Sequence, residues 1–228
     1  MTSDARPLLV ITARVGSSRL PKKVLKPIYK SYSILEFLIR RLKGNYKTSR
    51  LVLSTGDTSE NDAIEKIGHD CDIKVVRGPE NNVLERVRLC LEGEKDVNII
   101  GRITADNPLT DPDLILLQLK EMLKQKADYS YCLSCPTGVA ADLWTSKCFN
   151  KMYNSVETPE QREHINAWIW ENPEVNNILW FEPPPLYSCS NVSVTIDTKD
   201  DFDHVRKIIE NSPNPVRLET PQIINFYV

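Results

Sequence analysis

The sequence predicts an α/β fold, a mostly parallel mixed sheet held between two layers of helices. Three features predict it. Apolar runs of strand length at Leu8–Ile11, Arg50–Ser54, Ile73–Val76 and Val97–Ile100 alternate with helical patterns through residue 125. That alternation belongs to parallel strands joined by covering helices. Strands are followed by polar loops at the edge where α/β folds hold ligands. From Tyr129 the alternation changes, and the sheet is read as mixed.

Taking the elements in order, LLVI is long enough for a buried strand and too short for a helix. Ser33 and Glu36 form a capping box before Ile34–Leu42, and Gly44 closes that helix as its C′ residue. RLVLS runs into a Thr55-Gly56-Asp57 loop, and Ser59–Gly68 is a short helix. Ile73–Val76 leads to Arg77-Gly78-Pro79. Asn81 or Asn82 caps a helix through Leu91 that ends at Gly93. VNII precedes the loop GRITADNPLTDPD, and Asp111 with Pro112 opens an amphipathic helix to about Lys124. Beyond it, Tyr129–Ser134 and Gly138–Thr145 read as strands. Thr158 to Gln161 is a capping box opening a helix to Trp170. Asn177–Glu182 and Val192–Ile196 read as strands, Thr198 caps a helix through Glu210, and Thr220-Pro221 starts a short closing helix.

The 228 residues suffice for one large domain or two small ones, and no composition shift marks a second, so a single domain is expected. With 41% apolar and 26% charged residues the chain is of soluble globular type. A net charge of −2 supplies no general basic field for nucleic acid or an anionic membrane. The longest apolar runs are far short of a membrane span. MTSDARP has no apolar core, so it is not a signal peptide. Six cysteines without a framework fit a reducing cytoplasm. Cys132 and Cys135 form a C-x-x-C without a second pair or nearby histidines, and read as two partly buried thiols rather than a zinc site.

The loop after the first strand carries the chemistry. Arg14, Arg19, Lys22 and Lys23 supply four cations, and Thr12, Ser17 and Ser18 three hydroxyls. Arg offers bidentate forks and Lys a point charge, a set that suits a polyphosphate. Gly16 lets the backbone approach an anion closely. Charge alone leaves open a solvated basic loop. The spacing narrows it: Arg14, Gly16, Ser17, Arg19, Leu20, Pro21, Lys23 and Leu25 resemble the signature A-R-x-G-S-x-R-L-P-x-K-x-L of SpsF-like cytidylyltransferases. That family is related to the enzymes that activate 3-deoxy-manno-octulosonate and acylneuraminates with CTP. The sequence holds no Walker A loop. The resemblance implies a nucleotide-diphospho-sugar transferase-like (Rossmann-like) α/β/α fold. It also implies nucleotide binding by Thr12, Ala13, Arg14, Gly16, Ser17, Ser18, Arg19 and Lys23.

Asp106 follows the fourth strand, where a carboxylate suits magnesium beside phosphate oxygens; its residues also allow a turn cap before Asn107-Pro108. The segment from Arg102 resembles the family's R-I-T-G-D-x-P-L-x-D-P, with Ala105 where glycine is usual. This implies nucleotide contacts from Arg102, Thr104, Ala105 and Asp106, with Asp106 as metal ligand. Asp197, in VTIDTKDDF, resembles V-D-T-x-E-D-F/L, whose first Asp completes the metal site; the other reading is an acid beside the helix cap Thr198. Arg77 to Arg86 resembles R-G-S-E-x-D-V-L-D-R, implying that Arg77, Gly78, Asn82 and Arg86 hold the base and ribose side, with Asn82 replacing an acid; the other reading of Arg86 is a surface arginine on a helix. In TGVAADLW the family has x-G-L-D-V-E-V-F. There Asp142 stands for the Glu, and Ala140 replaces an acid, which points to a compact anionic acceptor. PEQREHI resembles P-x-E-R-E-H-V, which implies that Arg162 and His164 meet an anionic acceptor; the other reading is an ordinary solvated pair on a helix surface.

The expectation is therefore a magnesium-dependent transfer of CMP from CTP to an anionic acceptor, a sugar acid or a small phosphonate or phosphate, with pyrophosphate leaving. Arg14, Lys23, Asp106 and Asp197 are the expected catalytic residues. Residues 1–127 would hold the nucleotide, and 128–228 the acceptor and a homodimer contact. Trp144, Trp168, Trp170 and Trp180 read as core or dimer contacts. Two other functions fit less well: nucleotide binding without transfer, and a nucleotide-sugar glycosyltransferase. The latter needs a D-x-D after a strand, and Asp111-Pro112-Asp113 is better explained as a helix cap.

Overall fold

The computed structural model describes residues 7–17, 19–45 and 50–227. Its seven-stranded sheet is assembled from β1 (Leu8–Thr12), β4 (Arg50–Gly56), β5 (Lys74–Gly78), β6 (Ile99–Thr104), β7 (Tyr129–Cys132), β8 (Asp142–Thr145) and β9 (Ile178–Phe181), in the order β5-β4-β1-β6-β8-β7-β9. A small hairpin, β2 (Pro27–Tyr29) and β3 (Tyr32–Ser33), stands apart. All five residues of β1 are buried, because it is paired in parallel on both sides, to β4 and to β6. Only β8 runs antiparallel to its neighbours, β6 and β7, while β9 lies parallel to β7. The sheet is thus mostly parallel and mixed.

Period-two alternation in β1 splits the core into two layers. Leu9 and Ile11 pack with α1 (Ile34–Asn45), α4 (Pro112–Gln125) and α8 (Lys199–Glu210). Leu8 and Val10 pack with α3 (Val83–Leu91), α5 (Ser146–Ser155) and α7 (Ala167–Glu171). The fully buried Trp144 belongs to the second layer and Trp168 lies beside it, whereas Trp170 and Trp180 are exposed and meet Tyr131 edge to face.

The C-terminal segment is tied to this body by buried polar groups. Arg41 donates to the carbonyls of Thr110, Pro215, Val216 and Leu218. Burial pulls its guanidinium down to about 10. Asp111 caps α4 and accepts both the N–H and the hydroxyl of Thr220, at the start of α9 (Thr220–Ile224).

Several boundaries differ from the sequence expectation. β6 begins at Ile99 and runs through Thr104, so Arg102 and Thr104 are strand residues rather than loop residues. Gly101 permits this, since a Cβ there would stand 2.5 Å from Leu9. β4 extends to Gly56 and β5 to Gly78. β8 is only the last part of Gly138–Thr145, and β7 ends at Cys132. Val192–Ile196 is extended but makes only an isolated bridge, Thr137 to Ser193. Its alternation is real, for Val192, Val194 and Ile196 are buried, yet it packs without joining the sheet. The helix expected from 158 to Trp170 is two: α6 (Pro159–Glu163), opened by the predicted capping box, and α7, with a turn at His164–Asn166. α6 buries no residue, while Ile165, Trp168 and Ile169 are buried, and the turn lets the chain change direction between the two. Ser59–Gly68 opens as a 3-10 turn before α2 (Asp62–Asp70). Gly44 lies inside α1. Asn82, not Asn81, caps α3.

Candidate active site

The parallel register sets Thr12 beside Ser54 and Thr104, so the loops after β1, β4 and β6 leave the same edge of the sheet. Ala13 N–H reaches Ser54 O, and Ala105 N–H reaches Thr12 O. A cavity of about 370 Å³ opens there. It is lined by Thr12, Ala13, Arg14, Gly16, Ser17 and Arg19 from the first loop, with Lys23 and Val24 behind them. Arg102, Thr104, Ala105 and Asp106 line it from β6 and its loop. Val83, Arg86, Glu163, His164 and Asp197 complete the wall.

Buried Asn61 fixes the first loop. Its Oδ1 accepts Val15 N–H at 3.0 Å, while Nδ2 donates to Glu80 Oε2 at 2.7 Å and to Thr58 Oγ1 at 3.1 Å. Gly56 makes room for this contact: a Cβ there would fall 1.6 Å from Glu80 Oε2. Arg14 then reaches Glu163 at 2.6 Å.

Lys22 adopts a left-handed conformation (φ 56°) and is followed by a 3-10 turn, Lys23–Leu25. The turn buries the Lys23 side chain, leaving 12% exposed. Its Nζ donates to Asp106 Oδ2 at 2.7 Å, Ile196 O at 2.8 Å and Asp197 Oδ1 at 2.9 Å. Arg19 lies 3.1 Å from the other Asp197 oxygen. Burial by itself disfavours the Lys23 ammonium, but Asp106 and Asp197 outweigh it, and the pKa sits above the ordinary lysine value. Two backbone bonds assemble this pair from distant segments: Ile196 N–H to Asp106 O at 2.9 Å, and Val194 N–H to Thr137 O at 2.8 Å. Asp197 is held just ahead of α8, where Thr198 and Asp201 form a reciprocal capping box.

The donor set fits a hard divalent cation. Two carboxylates and a carbonyl converge, all oxygen, and magnesium is commonly held by one or two carboxylates plus substrate phosphates. Among the described residues no group of three or more His, Cys, Asp or Glu could hold a metal alone. Any ion here would therefore draw ligands from substrate or water.

Arg86 and Arg102 bring two further guanidinium groups to the wall. Arg86 donates to the carbonyls of Pro79 and Glu80. Burial lowers its pKa, with Arg14 and Arg102 adding to the effect against Glu80. Among the described residues the Nε of both has no hydrogen-bond partner. Arg102 lies 3.7 Å from Asp142, which also accepts the Tyr129 hydroxyl at 2.8 Å.

Some expected site residues lie outside the cavity lining. Arg77 is held by Asp62, Glu65 and the Thr58 carbonyl. Gly78 packs tightly, for a Cβ would meet Leu89 at 2.7 Å. Asn82 is occupied in capping α3, accepting Glu85 N–H. Asp142 faces Tyr129 and Arg102 within the sheet, and Arg162 donates to Val156 O. Ser18 lies outside the described residues. Sequence reasoning missed Glu163, although it stands in the same PEQREH segment as Arg162 and His164. It also missed Asn61: one partner, Thr58, is local, but the two that tie down the loop, Val15 and Glu80, are 46 and 19 positions away, a spacing that carries no local signal.

A cation-rich loop facing two converged carboxylates, across a cleft at the carboxyl edge of a mostly parallel sheet, is the arrangement of a nucleotidyltransferase. Comparison with known proteins narrows the class. The chain belongs to the cytidylyltransferase family, whose model matches residues 8–173. It is 30% identical to the spore coat polysaccharide biosynthesis protein SpsF of Bacillus subtilis, over 96% of this chain and 92% of that one. The structure is similar to that of a cytidylyltransferase from Leptospira borgpetersenii serovar Hardjo-bovis, with a TM-score of 0.88 at 26% identity, covering 97% and 93% of the two chains. The fold is also shared with CMP:2-keto-3-deoxy-manno-octonic acid synthetase complexed with CTP, with a TM-score of 0.68 at 17% identity, over 90% and 98% of the chains.

Proposed function

We propose that this enzyme transfers CMP from CTP to a small anionic acceptor, a sugar acid or a compact phosphonate or phosphate, with magnesium present. The observation that carries the reading is the convergence of Asp106 and Asp197 on one point beside the phosphate-suited loop. An acceptor oxygen attacks the α-phosphorus, the bond from that phosphorus to the α–β bridging oxygen breaks, and pyrophosphate leaves. Such transfer needs positioning and charge rather than a protein nucleophile.

Arg14, Arg19 and Lys23 neutralise the triphosphate and the charge that grows on pyrophosphate. Gly16 and Ser17 cradle the phosphates with their backbone and hydroxyl. Asp106 and Asp197 are the residues that would hold the magnesium, which supplies electrophilic polarisation of phosphate and acceptor oxygens. Arg86 and Arg102 offer guanidinium donors to the nucleotide, and His164 offers its ring to the acceptor. We assign the chain to one domain, with residues 1–127 serving the nucleotide and 128–228 the acceptor and a homodimer contact. The exposed Trp170 and Trp180 support that last assignment. No described helix is long and apolar enough to cross a membrane; the working site is assigned to the cytoplasm.

The test is pyrophosphate release with CTP, magnesium and a panel of sugar acids, phosphonates and phosphates, followed by mass spectrometry of the product. A CMP adduct of one acceptor is expected. Tight CTP binding with no pyrophosphate from any acceptor would leave a nucleotide-binding protein. A preference for UTP or dTTP would move the enzyme to a neighbouring class.

A further inference from the structure

The Lys23 ammonium has three N–H donors, and three oxygens take all of them: Asp106 Oδ2, Asp197 Oδ1 and the Ile196 carbonyl, between 2.7 and 2.9 Å. These oxygens are drawn from two loops far apart in sequence, joined by the Ile196 N–H to Asp106 O bond, and they surround a single point. That point is where a cation shared by both carboxylates belongs. An ammonium and a divalent ion cannot share it, so one must leave before the other enters. The lysine is mounted for such an exchange. It opens a short 3-10 turn after the left-handed Lys22, and its flexible stem lies along the wall of the cavity that also holds Arg14 and Arg19. A triphosphate bound between those arginines would offer the ammonium other oxygens.

We propose that Lys23 is the resident cation of the Asp106–Asp197 pair, and that it gives up this place only when a triphosphate accepts its ammonium. Divalent ion and nucleotide then load together. The free enzyme does not hold a metal poised between the two carboxylates. Before and after the exchange the pair carries a shared cation, and Arg19 stays beside Asp197 throughout, which limits the repulsion of two facing carboxylates in a partly buried cleft. This inference rests on the reading of Asp106 and Asp197 as the metal ligands.

The test is Mn²⁺ binding to the full-length protein without nucleotide, read by electron paramagnetic resonance of free Mn²⁺. Lys23→Met is expected to bind Mn²⁺ about tenfold or more tighter than wild type, because the ammonium at the shared point is gone and Arg19 touches only the other Asp197 oxygen. Lys23→Arg, which keeps a cation in place, is expected to stay as weak as wild type. Thermal unfolding reports folding of the variants, and Mn²⁺ alone should raise the melting temperature of Lys23→Met but not of wild type. Lys23→Met binding Mn²⁺ no more tightly than wild type would overturn the exchange, and Lys23→Gln provides the same comparison should the Met variant fail to fold. Wild type with CTP, compared with Asp106→Asn with CTP, tests the underlying reading separately. If Asp106→Asn leaves Mn²⁺ binding in the presence of CTP unchanged, the carboxylates are not metal ligands, and the exchange falls with them.

Discussion

Replacing Asn61 by Ala removes three hydrogen bonds from a fully buried side chain. The Val15 N–H, 3.0 Å from Asn61 Oδ1, loses its acceptor. Orphaning a buried donor costs roughly 1–3 kcal/mol. The bond to the Glu80 carboxylate, at 2.7 Å, is charge-assisted, but Glu80 is half-buried and water recovers part of its worth. The expected loss is about 2–4 kcal/mol, within the roughly 5–15 kcal/mol of a folded domain, so the variant still folds. Urea unfolding followed by tryptophan fluorescence measures it. The same change frees the loop that carries Arg14 and Ser17, and CTP affinity should fall about three- to tenfold by calorimetry. A stability change below about 0.5 kcal/mol would refute the assignment of Asn61 as the anchor of that loop. A destabilised variant with unchanged CTP affinity would refute the link from anchor to nucleotide. Asn61→Asp adds a sign test. Two carboxylates would then face each other, one pKa is raised in the folded state, and the variant is more stable at about pH 5 than at about pH 8 relative to wild type.

The other predictions concern the charged site and the thiols. Asp106→Asn and Asp197→Asn should each lower turnover strongly, and the double variant should be little worse than either single one; strictly multiplicative losses in steady-state rates would separate their roles. Lys23→Met should lower turnover more than CTP affinity, whereas Lys22→Met, on the exposed left-handed residue, should leave both unchanged. Burial pushes the Cys90 and Cys148 thiols up to about 12, whereas Cys135 is only partly buried. Brief iodoacetamide labelling near neutral pH, mapped by peptide mass spectrometry, should therefore modify Cys135 while sparing Cys90 and Cys148.

Much of the architecture is legible where local and tertiary demands agree. β1 reads as a buried strand because parallel pairing on both sides requires an unbroken apolar run, and LLVI is one. The caps at Ser33, Asn82, Asp111, Thr158 and Thr198 were legible because capping chemistry is confined to four residues. The full length of β6 is hidden in the sequence because its second half alternates between core and cleft: Gly101 and Ile103 are buried while Arg102 and Thr104 line the cavity, and Arg102 breaks the apolar run. Val192–Ile196 carries a strand's alternation, but its backbone partners are single loop residues, a distinction that sequence does not encode. Asp106 and Asp197 were marked by their positions after apolar segments. That Lys23 would sit between them depends on the left-handed turn at Lys22, for which no glycine or asparagine gave notice.

If the site works as proposed, nucleotide and divalent ion meet between the Arg14–Lys23 loop and the Asp106–Asp197 pair. The most direct measurement is a crystal structure with CTP and Mn²⁺, using anomalous scattering to locate the metal. An anomalous peak bound by both carboxylates and by a phosphate oxygen is expected, with Lys23 moved onto the triphosphate. A triphosphate lying away from this loop, or a metal touching neither Asp106 nor Asp197, would contradict it.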